Sequence, residues 1–427
     1  MPDRTTAASP AAAEQKTRAW LEQVFARCVA RSEHRPVYDA WGQPVGMTAL
    51  EFGRLHRKLK IFRWLDGLKF ESFIDVGSGW EVFPYLVRER YGAAAYYADL
   101  VHEFNLPTDA PEFGRLDHAV TLKLSSLPFA DAAFDVVLCS EVFEHLVRPI
   151  EAVSELLRIT RKCLILTTLE GLSRSRLERA LLHYGVDVRL PHVERNFLVL
   201  SEFVALFGSG LHHESLQHSP SFPADLLVRQ QEQDEAAYAA LRDVDALVTA
   251  LVRAAAVGEH GPRSLGILVV KLMPGVGVAP PRPQKDLELA RWLVEQAALI
   301  ERHAGEMLAG AARSDVPRDH PIGAPLLARL RCPNCGGGLA PEGSGLRCRA
   351  CGTAFAADHG VPILYPSRAD VGPSEEACLR RLCGDDARRR RVVRRVLRRL
   401  RRNEPPPRLV RRVIMRAECI RRRLPSA

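Results

Sequence analysis

The chain predicts an α/β protein: an open, mostly parallel sheet with helical insertions, then a small cysteine-clamped module and a basic helical tail. Three observations carry this. Phe73-Ile74-Asp75-Val76 reads as a buried strand running into the glycine turn Gly77-Ser78-Gly79. Two Cys-x-x-Cys pairs, Cys332/Cys335 and Cys348/Cys351, stand twelve residues apart. The chain's excess positive charge is concentrated at its C-terminal end.

The strand comes first because it fixes the fold. Without Cβ atoms at Gly77 and Gly79, the backbone can turn sharply and approach a ligand closely. A helix predicted over Val82 to Arg90 puts that turn at a helix N-terminus, where open α/β sheets bind nucleotide-like groups. About twenty residues on, Tyr96 to Leu100 is a short strand containing Asp99, an acid able to accept hydrogen bonds from ribose hydroxyls. A loop at Ser125 to Asp131 leads to a strand at Phe134 to Ser140, and Glu141 to Leu146 is expected to open a helix.

These segments, in this order, resemble the class I S-adenosylmethionine-dependent methyltransferases, in particular the type 11-like group with "FDVV" followed by "EVLEHL". The matching text is Phe134 to Val137 and Glu141 to Leu146, and the resemblance covers roughly residues 50 to 273. It implies a Rossmann-like seven-stranded sheet and S-adenosylmethionine as cofactor. Asp75, Gly77, Ser78 and Gly79 would line the methionine end and Asp99 the ribose. Ser126 and Leu127 would lie at the adenine, with Glu141 in the same set. Two departures are visible. Glu81 stands where the family often has a small residue, and Lys123-Leu124-Ser125-Ser126 lacks the usual adenine-binding acid, leaving serine hydroxyls or backbone to do the reading. A non-catalytic scaffold reading rests on those departures alone.

Composition sets the remaining bounds. At 427 residues with 47% hydrophobic content, the chain can fill two or three cores. No run of eighteen apolar residues exists, and residues 1–14 read as a disordered lead, not a signal peptide. The ten cysteines do not form a disulfide framework, which points to a cytoplasmic, reducing compartment. Residues 371–427 carry a net +13 of the chain's total +9, leaving −4 on residues 1–370. A near-neutral core gives no reason to expect a polyanionic acceptor.

The methyltransferase-like domain is placed at 15–273. Helices are expected over 15–31 and 48–67, a loop over Glu33 to Gly46, late strands at Lys162 to Thr168 and Ser264 to Lys271, and a substrate-side insertion over about 172–262. Within the insertion, His183, His192 and Arg195 are candidates for acceptor contact or proton removal, as is His145 outside it; each also has a plain structural reading. Ser201 reads as the N-cap of a helix to Phe207. A linker and helix follow over 274–323, the helix with a stripe of Leu287, Leu289, Trp292 and Leu293.

Over 324–367, Cys332, Cys335, Cys348 and Cys351 have the spacing of a closed, structural zinc site. The surrounding text, through Asp358 to Pro366, resembles the small zinc-ribbon activators of RNA and release-factor methyltransferases. That implies packing against the methyltransferase domain of the same chain. In the tail, 368–427, Val392, Val393, Val396, Leu397 and Leu400 make an apolar stripe on an arginine-rich helix. It admits three readings: an anionic membrane surface, RNA phosphates, or a solvated helix. The leading functional expectation is a methyltransferase acting on a small-molecule, lipid or glycan acceptor. The alternative is an RNA or protein methyltransferase using the ribbon and tail.

Overall fold

The computed structural model describes residues 36–38, 44–79, 82–100, 119–146, 148–169, 198, 200–216, 248, 252, 266–279, 285–296, 320–367 and 373–401. Two short strands, β1 (Pro36–Tyr38) and β2 (Pro44–Thr48), pair antiparallel ahead of the main sheet. That sheet is built from β3 (Ser72–Val76), β4 (Ala94–Asp99), β5 (Ala119–Leu122), β6 (Phe134–Ser140), β7 (Thr160–Leu169), β8 (Leu211–Leu216) and β9 (Gly266–Leu272). Their order is β5-β4-β3-β6-β7-β9-β8. Every pair is parallel except those of β9, which runs antiparallel to β7 and β8. The strand order reverses between β3 and β6, so a crevice opens at their carboxyl ends. This is a Rossmann-like open sheet, with the seven strands that the resemblance implies.

Strand alternation sends side chains to two cores. Phe73, Ala95, Val136 and Leu138 face helices α1 (Ala49–Asp66) and α2 (Phe83–Tyr91) and a helical segment over 285–296. Ile74, Val76, Tyr96, Ala98 and Val137 face the other way, onto α3 (Pro149–Ile159) and α4 (Leu200–Phe207). On this second face the link from β5 to β6, residues 123–133, contains no helix. Its place is taken from far along the chain by α5 (Ala324–Arg329), with Leu326 and Leu330 fully buried against the core that holds Phe129 and Phe134. Main chain at 128–130 pairs with 329–331: Ala130 N–H donates to Arg329 O at 2.9 Å, and Arg331 N–H to Pro128 O at 2.8 Å.

The cysteine module continues as β10 (Leu339–Glu342), β11 (Gly345–Cys348) and β12 (Ala354–Phe355), an antiparallel sheet. A hairpin of β13 (Ala357–Asp358) and β14 (Val361–Leu364) follows. β14 then adds in parallel to β5, with Ile363 opposite Thr121 and Leu364 opposite Leu122, making nine strands. The module is therefore seated on the methyltransferase-like domain, as its resemblance implies.

Two tail helices complete the second face. α6 (Glu375–Cys383) begins at Ser374, whose hydroxyl accepts from Ala377 N–H at 3.2 Å, and it packs on α3. α7 (Ala387–Arg401) packs on α4, burying Val393, Val396 and Leu397. Arg389 hydrogen-bonds three carbonyls, those of Ala205, Leu206 and Leu382, and so caps the ends of α4 and α6.

Several expectations change. Glu141 to Leu146 does not open an α-helix; it makes one 3-10 turn, Phe143–His145, and α3 starts at Pro149. A residue before proline is pushed out of the helical region, so Arg148 ends any earlier helix, and Pro149 suits a helix start. The span read as a loop from Glu33 to Gly46 holds β1 and the start of β2. Ser201 lies inside α4, which begins at Leu200, and Leu287 is half-exposed, off the buried stripe of its helical segment. The expected helix over 15–31, most of the 172–262 insertion, and His183, His192 and Arg195 lie outside the described residues.

Candidate functional site

The crevice is built around the glycine turn. Gly77 has φ +81°, and its N–H donates to Ala98 O at 2.6 Å, tying the turn to the end of β4. A Cβ there would lie 2.4 Å from Val142 Cγ2, so both conformation and packing require glycine. Gly79 has φ +50°, and a Cβ at that position would meet nothing within 4 Å. Its N–H donates to Asp99 Oδ2 at 2.9 Å, which holds the acid against the turn; Asp99 is 8% exposed. Asp75 sits buried on β3, between Tyr97 of β4 and Leu138 of β6.

The opposite wall is the end of β6. Glu141 takes φ +54°, an uncommon backbone for a non-glycine residue, fixed by its N–H donating to Thr167 O at 2.9 Å. Ser140 and Thr167 hydroxyls pair at 2.8 Å beneath it. The Glu141 carboxylate stands 3.7 Å from the Arg57 guanidinium of α1. Glu144 is 2% exposed, and its Oε2 accepts from Thr168 Oγ1 at 2.9 Å. Burial, and then the neighbouring charge of Glu141, push its carboxyl up to about 8. His145 ends the 3-10 turn, half-buried beside Glu144.

The third wall, after β5, differs most from expectation. Ser126 Oγ donates to Pro333 O at 3.2 Å, inside the first cysteine pair. Leu127 N–H donates to Glu155 Oε2 at 3.1 Å. Arg158 holds the carbonyls of Leu127 and Phe129 at 2.8 and 2.6 Å while pairing with Glu155 at 2.6 Å, and Arg381 of α6 reaches the same acid at 3.0 Å. The polar groups of Ser126 and Leu127 are thus largely engaged within the protein. The neighbouring hydroxyl is not. Ser125 Oγ is buried without a hydrogen-bond partner among the described residues, as is Ser78 Oγ in the glycine turn. Two orphaned buried hydroxyls, one in the glycine turn and one in the loop after β5, together with an open Cβ position fit a polar, nucleoside-like ligand. The sequence offered the hydroxyls of both Ser125 and Ser126 for this role; the structure engages Ser126 with Pro333 and leaves Ser125 without a partner among the described residues.

The cysteine cluster is a second site. The Sγ atoms of Cys332, Cys335, Cys348 and Cys351 all lie within 4.8 Å of one another. Cys332 and Cys351 are 3.7 Å apart, Cys335 and Cys348 3.5 Å. A tetrahedron with metal–sulfur bonds of about 2.3 Å has edges of about 3.8 Å, so the four sulfurs fit a zinc ion. A Cβ on Gly337 would lie 2.8 Å from Ala350 Cβ and 3.1 Å from Cys348 Sγ, so the cluster is closely packed. The Thr353 hydroxyl, 3.2 Å from Cys351 Sγ, and Thr353's backbone draw that thiol down to about 6, toward the thiolate a metal requires.

Residues 74–163, about a fifth of the chain, match the family profile described as "Methyltransferase domain". Among curated proteins none matches. A chain of the structure described as a "Complex between the Haloferax volcanii Trm112 methyltransferase activator and the putative methyltransferase" is 17% identical, covering 54% of this chain and 97% of that one at a TM-score of 0.32. The YcgJ protein of Bacillus subtilis is 18% identical, covering 51% and 99% at 0.32. A SAM-dependent methyltransferase from Archaeoglobus fulgidus is 15% identical, covering 52% and 94% at 0.32. The strand order, not these distant likenesses, carries the fold.

Proposed function

We propose that the chain is an S-adenosylmethionine-dependent methyltransferase whose cysteine module is a structural zinc ribbon completing the catalytic domain. The hydrogen bond from Gly79 N–H to the Asp99 carboxylate carries this reading, because it brings turn and acid together at the switch point of a methyltransferase-type sheet. Asp99 would take the ribose hydroxyls, and Asp75, Gly77, Ser78 and Gly79 the methionine end. Ser125 joins Ser126 and Leu127 at the adenine. When bound, S-adenosylmethionine supplies an already activated methyl group. The protein's part is then alignment and exclusion of water, worth roughly 7–11 kcal/mol. Glu141 and His145 stand at the mouth as the groups able to take a proton from an acceptor, with Arg57 holding Glu141 in place.

For the acceptor, the near-neutral charge of residues 1–370 supports a small molecule, lipid or glycan. The exposed arginine face of α7 favours the second reading, an RNA or protein acceptor. None of the cysteines among the described residues is in a disulfide, which supports a cytoplasmic setting; no described helix is long and apolar enough to cross a membrane. Calorimetric titration with S-adenosylmethionine tests the core reading, with micromolar binding expected. Absence of binding at millimolar cofactor would leave only a scaffold. A labelled-methyl screen across the acceptor classes then separates them.

A further inference from the structure

We propose that the solvent face of α7 is a docking rail for single-stranded RNA, gripped through its phosphates. The rail is Arg388, Arg391, Arg395 and Arg398, all exposed. Their spacing of three, four and three residues puts them on one stripe of the helix, about 15 Å long at 1.5 Å per residue. Among the described residues, none of these four guanidiniums forms an ion pair or a hydrogen bond. The other well-placed arginines of α7 are engaged: Arg389 on carbonyls, Arg390 and Arg394 on Glu376 at 3.2 Å each.

The stripe is held rigidly. Val393, Val396 and Leu397 lie on the opposite side of the helix, buried against α4 and α6. Packing therefore fixes which way the four arginines point. They also belong to the region carrying the net +13, against −4 elsewhere, so counterion release favours a polyanion at this end of the chain.

The geometry selects among polyanions. An amphipathic helix on a bilayer inserts its apolar side, but that side of α7 is already inside the protein core. A DNA-type major groove, about 12 Å wide, admits a helix that is free on its flanks; α7 is embedded along half its surface. A row one residue wide suits a single phosphate chain lying across it, and long single strands in a cell are RNA. The proposal rests on the charge and packing of α7 alone, so it holds whatever the methyl acceptor is.

The test is fluorescence anisotropy of the full-length, nucleic-acid-stripped protein with a 20-nucleotide single-stranded RNA. Arms with an RNA duplex of the same length and with vesicles of neutral and anionic lipid accompany it. The variant R388Q/R391Q/R395Q/R398Q is expected to bind the single strand at least about 30-fold more weakly. Its log–log salt slope should be shallower by about 3, from four contacts at roughly 0.7 each. Circular dichroism and melting temperature should be little changed, since among the described residues these side chains are exposed and make no ion pair or hydrogen bond. Should the quadruple variant misfold, R391Q/R395Q should remove about half the slope difference by the same rule. Equal RNA affinity in variant and wild type overturns the proposal. So does tighter binding to the duplex, or a loss of vesicle binding without a loss of RNA binding.

Discussion

Ser126 Oγ donates to the Pro333 carbonyl, so the loop after β5 and the first cysteine pair are fastened to each other. A second tie runs beside it: Tyr365 OH donates to Leu100 O at 2.6 Å, one residue past Asp99. The two loops that would face a nucleoside are thus both anchored in the ribbon. Removing the metal, or substituting C335S/C351S, is expected to weaken S-adenosylmethionine binding by about tenfold or more, since loops no longer held in place lose the pre-organised contacts they make to a ligand. Calorimetry on metal-free protein checks this. An unchanged dissociation constant would show the ribbon to be passive.

Gly77 and Gly79 should separate under substitution. G77A places a methyl group against Val142 at a φ of +81° and should cost about 1–3 kcal/mol of stability. Among the described residues G79A meets no atom within 4 Å, so its stability loss should stay at about 1 kcal/mol. Its methyl enters the crevice, and cofactor affinity should fall by more than the change in stability implies. Urea unfolding and cofactor titration of both variants are sufficient.

Glu144 makes stability depend on pH. Its folded pKa, about 8, lies above the ordinary carboxyl value, so the folded state holds a proton that the unfolded chain releases. This contribution to stability is fully present below the unfolded pKa and declines as pH rises toward 8. E144Q should therefore gain melting temperature relative to wild type between pH 5 and pH 8. A constant difference across that range would contradict a neutral Glu144.

Arg389 should be a structural arginine. R389A leaves the carbonyls of Ala205, Leu206 and Leu382 without their charged donor and should cost about 2 kcal/mol, read by urea unfolding. G208A should also destabilise, because its Cβ would come within 2.6–2.8 Å of the Arg389 guanidinium. Deleting residues 371–427 would be harsher than either, since it uncovers Phe203, Leu206 and Phe207. Such a truncation cannot serve as a clean probe of the tail's charge.

What the sequence disclosed was what local grammar encodes. A buried apolar run ending in glycine marked β3, the apolar run from Phe134 to Ser140 marked β6, and cysteine spacing marked the cluster. Four-residue β5, with a polar residue at each side, and the histidine-containing edge strand β8 carry too little pattern to stand out. The Ser126–Pro333 bond and the β14–β5 pairing join residues more than 200 positions apart, and no local signal foretells them. The same holds for α5 filling the place of a missing crossover helix.

The pairing of β14 with β5 also sets a timetable. Thr121 leaves the ribosome about 240 residues before Ile363, which at roughly 5–20 residues per second is on the order of 10–50 s. Through that interval the nascent domain has an unpaired strand edge, and the face bearing Tyr96, Phe129 and Phe134 lacks its cover. Synthesis rate and chaperone supply should therefore govern the yield of this protein more than its final stability does.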